Sequence, residues 1–98
     1  MLEPLWVAQL LISDETRQKL ASKHTLEAED VRKSLVCVPG LLCEWHTDHR
    51  GTRALAEIEL PIRTGRFHRK RRRRILIVLY PVKHPLGDVY ALGSAYPR

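Results

Sequence analysis

The chain has 98 residues, 44% of them hydrophobic and 29% charged, with a formal net charge of +6. That length suits one domain, residues 1–98, around one modest core, and that composition excludes an intrinsically disordered chain. The apolar runs are too short to span a bilayer, two cysteines are too few for a disulfide framework, and the N-terminus lacks the basic n-region of a signal peptide, so a reduced, cytoplasmic protein is expected.

The first apolar run, "LWVAQLLIS" at 5–13, predicts a strand, with Ser13 free to cap a following helix. Residues 14–23 place Asp14 and Glu15 in the first turn and Lys19 and Lys23 near the end, which matches the dipole of a helix. Its apolar face is narrow, carried by Leu20 and Ala21. Residues 24–35 predict a second helix with Thr25 as N-cap, Leu26, Val31 and Leu35 on one face, and a Glu29–Lys33 pair. Pro39-Gly40 marks the turn that ends it. Strands follow at 42–49, 52–62, 74–82 and 88–96. The second alternates cleanly, with Ala54, Ala56, Ile58, Leu60 and Ile62 on one side. The third is a nearly continuous β-branched run, expected of a central strand covered on both faces. The predicted order is β-α-α-β-β-β-β. This is an α+β fold with two N-terminal helices on one face of a mostly antiparallel sheet of four to five strands.

Charge is unevenly distributed. Residues 1–62 hold seven Lys and Arg against ten Asp and Glu, and residues 63–98 hold ten against one. The excess centres on "RFHRKRRRR" (66–74), read as a basic inter-strand loop over 63–73 that projects into water. Such a run points to a polyanionic partner, because clustered cations bind phosphates with little sequence preference. Arg63, Arg66, Arg69, Lys70, Arg71, Arg72, Arg73 and Arg74 are the candidate phosphate contacts. Phe67 and His68 are candidates to stack on an unpaired base. The competing readings are a solvated loop and a docking site for an acidic protein.

Two stretches, "SDETRQKLASKHTLEAEDVRKSL" (13–35) and "RRILIVLYPVKHPLGDVYALGSAYP" (73–97), cover roughly half of the chain. They resemble the BrnT-like toxins, a branch of the wider RelE/ParE-like toxin superfamily. The shared features are Lys23-His24 before a turn, the acidic Glu29-Asp30 of the second helix, Arg74 opening an apolar strand, and Ser94-Ala95 in the last strand. The resemblance implies a small RNA-directed toxin, often an endoribonuclease, neutralised by an antitoxin.

Metal-free RNA cleavage needs a base for the 2′-hydroxyl, an acid for the leaving oxygen, and cations for the phosphorane charge. His24, His68 or His84 with Arg74 and Lys23 has the residue types for it, histidine because its pKa lies near neutrality. No cofactor or metal is expected. Cys37, Cys43, His46 and His49 have zinc-ligand types at a poor spacing. Glu57 and Glu59 are read as cross-strand partners of arginines, with a general base beside a basic partner as the other reading, and Tyr80, Tyr90 and Tyr96 as sheet packing that is also able to orient a phosphate or stack a base. The function expected is an RNA-directed, toxin-like protein that is a candidate endoribonuclease. The alternatives are a non-catalytic nucleic-acid-binding module and a basic partner of an acidic, antitoxin-like protein.

Overall fold

A computed structural model of the protein describes residues 1–61 and 72–97. The elements run β1 (Glu3–Pro4), β2 (Gln9–Leu11), α1 (Asp14–His24), α2 (Ala28–Leu35), β3 (Leu42–Asp48), β4 (Gly51–Pro61), β5 (Arg72–Pro81) and β6 (Val89–Pro97). The α+β class holds. The sheet has six strands in the order β1-β3-β4-β5-β6-β2, and β2 runs parallel to β6 while the other neighbours are antiparallel. The expected sheet of four to five mostly antiparallel strands is thus corrected to a mixed sheet of six. The difference arises at the N-terminus. Pro4 lacks an N–H and has a fixed φ, so it is confined to a sheet edge. The chain leaves β1 there, crosses at 5–8, and joins the far edge as β2.

That crossing forces the sheet to curl. Laid flat, β1 and β2 would stand five strand spacings apart, about 24 Å. The chain from Pro4 to Gln9 reaches about 17 Å even when fully extended. The two edges must therefore turn toward each other. The crossing segment is bonded to both sides: Leu5 N–H donates to the Leu41 carbonyl (2.9 Å), Cys37 N–H donates to that of Val7 (2.8 Å), and Ala8 N–H donates to that of Asp88 (2.9 Å). Leu5 and Val7 are buried in the core that results.

One face of the sheet carries that core. Cys43, Ala54, Ala56, Ile58, Leu60, Ile75, Ile77, Leu79, Leu92 and Ala95 point into it, together with Leu20 of α1 and Ala28, Val31 and Leu35 of α2. Ile75, Ile77 and Leu79 are fully buried, each worth about 1.5–3 kcal/mol relative to an exposed side chain. The alternate residues of β5 behave differently. Leu76 and Val78 are half-buried and Tyr80 is exposed, so this central strand is covered by helices on one face, not on both as expected. The helices pack on the core side because that is where their apolar residues lie.

Ser13 caps α1 as predicted, its Oγ accepting from Thr16 N–H at 3.1 Å. Thr25 does not cap the second helix. It sits at φ 54° just past α1, where the chain reverses. Leu26 N–H then reaches back to the Leu20 carbonyl (2.9 Å), which closes the helix end, and α2 starts later, at Ala28. Glu29 pairs with Arg17 of α1 (3.2 Å) and Arg32 (3.4 Å), in place of the expected Lys33. None of the helices among the described residues is long and apolar enough to cross a membrane.

Candidate nucleic-acid interface

Eleven helical residues carry Lys23 and His24 to the C-terminal end of α1. The carbonyls there are unsatisfied within the helix and carry partial negative charge, so they attract cations. Arg73 supplies one. Its Nη1 donates to the His24 carbonyl at 3.3 Å, a contact between residues far apart in sequence. Arg73 reaches this point because the two-residue period of β5 puts it on the same face as Ile75 and Ile77. Arg74, one residue on, is on the opposite face, level with Glu59, and Arg72 is level with Pro61. The structure therefore brings Lys23, His24 and Arg73 together, while Arg74 serves a different surface. Arg72 and Arg73 lie within β5 rather than in a loop. Arg63, Arg66, Phe67, His68, Arg69, Lys70 and Arg71 lie outside the described residues.

Tyr96 completes the group. Its ring meets that of His24 edge-to-face, with centroids 6.1 Å apart and planes at 72°. The two residues flank a cleft of about 160 Å³ between α1 and β6, which Thr16, Lys19, Lys23 and Ser94 also line. The cleft exists because β2 is short: its pairing with β6 ends at Leu11 and Ala91, and α1 runs beside the remaining β6 edge. Lys19 is held by Glu15 at 3.3 Å. Lys23, Arg72 and Arg74 make no ion pair among the described residues. Cations without a carboxylate partner are available to an incoming anion.

The other candidates lie elsewhere. His84 caps its own turn, its Nδ1 accepting from Leu86 N–H at 3.1 Å. Cys43 is buried in the core, whereas His46 is exposed and 3.4 Å from Glu44. Among the described residues no group of three or more His, Cys, Asp or Glu is placed to hold a metal. Burial, helped by Glu3, pushes the Cys43 thiol up from its ordinary pKa, and burial with Asp88 and Cys43 does the same to the Tyr90 phenol. Both groups belong to the core.

The face of the sheet opposite the helices carries a second set of side chains. On β5 and β6 these are Arg72, Arg74, Leu76, Val78, Tyr80, Ala91, Ser94 and Tyr96, and neither strand contains an acidic residue. On β3 and β4 the same face shows Glu44, Leu55, Glu57 and Glu59. The tyrosines were legible as residue types. Their placement follows from register, which the sequence does not display.

Comparison with protein-family models, with curated proteins and with solved structures finds no match to this chain.

Proposed function

We propose that the protein is an RNA-directed protein of toxin type, acting as a metal-independent endoribonuclease at the end of α1. The observation that carries this reading is the meeting of Lys23, His24 and Tyr96 at one cleft, with Arg73 bonded to the His24 carbonyl. A BrnT-like activity, suggested by the local resemblance, would use that place as follows. His24 takes the proton of a 2′-hydroxyl, the 2′-oxygen attacks phosphorus, and the bond to the 5′-oxygen breaks. The products are a 2′,3′-cyclic phosphate and a 5′-hydroxyl, whose proton comes from a second donor, for which His68 is the candidate from the sequence. Lys23 and Arg73 offset the charge of the phosphorane, while Arg74, on the opposite face, is left to contact the RNA away from the reacting phosphate. An acidic, antitoxin-like chain would inhibit by covering the same cations.

The second reading is a binding module without chemistry. It draws on the count of groups among the described residues: Lys23, Arg72 and Arg74 make no ion pair, against one histidine lining the cleft. One experiment separates the two. Purified protein is incubated with labelled single-stranded RNA in EDTA across a salt series, and binding and cleavage are read from the same tube. The ribonuclease reading expects cleavage that persists in EDTA and falls about 100-fold or more in His24→Ala, with binding retained. Salt-sensitive binding without cleavage would establish the binding module. Absence of binding at low salt would end the RNA reading.

A further inference from the structure

We infer that the uncovered sheet face over β5 and β6 is a track for single-stranded RNA, with Tyr80 and Tyr96 as stacking platforms and Arg72 and Arg74 as phosphate contacts. The inference rests on the RNA reading above and extends it from the cleft to a surface.

A Cβ built on Gly93 would stand 2.2 Å from Tyr80 Cε2 and 2.8 Å from Cδ2. Such a distance is impossible between real atoms, so the Tyr80 ring occupies the space a side chain would need. Gly93 interrupts the register between β5 and β6, at the shift between Val78 and Leu79, and the ring fills the gap. The ring is therefore supported from below by the sheet, yet the residue remains 43% exposed. A supported aromatic face open to solvent is what a nucleobase stacks on.

Tyr96 is 48% exposed on the same face. It is level with Leu76, four residues along β5 from Tyr80, which separates the platforms by about 14 Å along the strands. Half-buried Leu76 and Val78 floor the space between them. Beyond Tyr96 the track divides, one side leading to the cleft with His24 and Lys23 and the other to Arg74 and Arg72. Neither β5 nor β6 contributes an Asp or Glu to this face. Glu44, Glu57 and Glu59 lie on the β3 and β4 side of this face, with Glu59 level with Arg74. A bare sheet carrying apolar residues needs a covering partner, and the charge pattern of this one suits a polyanion with flat bases.

The test uses a fluorescent 2′-O-methyl oligouridylate, which binds as RNA does but lacks the nucleophile for cleavage. Binding is read by anisotropy across a salt series for the wild type and for Tyr80→Leu, Tyr96→Leu, Tyr80→Phe and Arg74→Ser. The expected result is about tenfold weaker binding for each leucine variant with an unchanged salt slope, and near-wild-type binding for Tyr80→Phe. Arg74→Ser is expected to reduce the salt slope by about one. In parallel, 5-iodouridine RNA is photocrosslinked to the wild-type protein, and the modified peptides are mapped by mass spectrometry. Crosslinks on β5 or β6 at Tyr80 or Tyr96 are expected, and this arm does not depend on how any variant folds. Wild-type affinity in both leucine variants, or crosslinks confined to other segments, would overturn the track while leaving the RNA reading in place. A wild-type protein that binds no RNA would overturn both.

Discussion

At the scale of single residues, Gly93 is constrained by the ring of its neighbour Tyr80. Its role is spatial, because it stands clear of the left-handed backbone region that a side chain would find strained. Any Cβ there must displace the Tyr80 ring, and overpacking of this kind costs about 1–3 kcal/mol. The ring lies at the surface and has somewhere to go, so the lower end applies to Gly93→Ala. The cost should largely vanish in a Tyr80→Ala background, where the space is empty. Urea denaturation of both singles and the double gives the coupling directly. Additive costs would mean that the two residues do not contend for one space, and the supported ring would then be lost as the basis of a stacking platform.

At the scale of elements, β2 is a short strand of three residues at a sheet edge. Arg32 of α2 holds it. The Arg32 guanidinium donates to the Leu10 carbonyl through Nη1, while its Nε pairs with Glu29. Hydrogen bonds to charged groups contribute about 1.5–3 kcal/mol, and the half-exposed position argues for the lower value. Arg32→Ala should cost about 1.5 kcal/mol, and Arg32→Lys should recover only part of it, because an ammonium cannot reproduce the fork. Hydrogen exchange should localise the loosening to β2 and the facing part of β6; protection unchanged there would show that packing of Leu10 alone holds the strand. Elements far from this edge were the legible ones. β3 to β6 declare themselves by alternation and by β-branched composition, and their observed limits lie within two residues of the expected ones. The N-terminal run 5–13 does not alternate, so nothing local distinguishes one strand from a crossing between two. Nor does Thr25 announce a left-handed conformation, which a threonine adopts here because the helix-end bond from Leu26 to Leu20 requires it. The site was legible in the same uneven way. Lys23, His24 and the arginines stood out by type. Which arginine of a run of identical residues meets His24 depends on strand parity, and the meeting of His24 with Tyr96 depends on the short β2 leaving the β6 edge to α1.

For the whole molecule, the curl and the charge distribution act together. The crossing segment draws both sheet edges toward one another, and α1 lies against β6. Residues 63–98 carry ten basic side chains against one acidic. Where Arg72, Arg73 and Arg74 follow one another on one strand, like charges stand within a Debye length, about 10 Å at 0.1 M. Their repulsion opposes the folded state more than the expanded one, because folding brings them closer. The exposed pairs, such as Lys19–Glu15 and Arg17–Glu29, contribute little in return. Added salt should therefore stabilise the protein. Raising NaCl from about 20 to 300 mM should lift Tm by a few degrees, since about 1 kcal/mol corresponds to about 4–8 °C in a domain of this size. A polyanion that occupies the cations should do more at low salt and lose its effect as salt rises, because counterion release drives its binding. A Tm that falls with salt would mean that the ion pairs outweigh the repulsion, and that the arginines are already neutralised within the fold. The cations would then not be available to RNA, so this measurement also bears on the premise from which both the cleft and the track are argued.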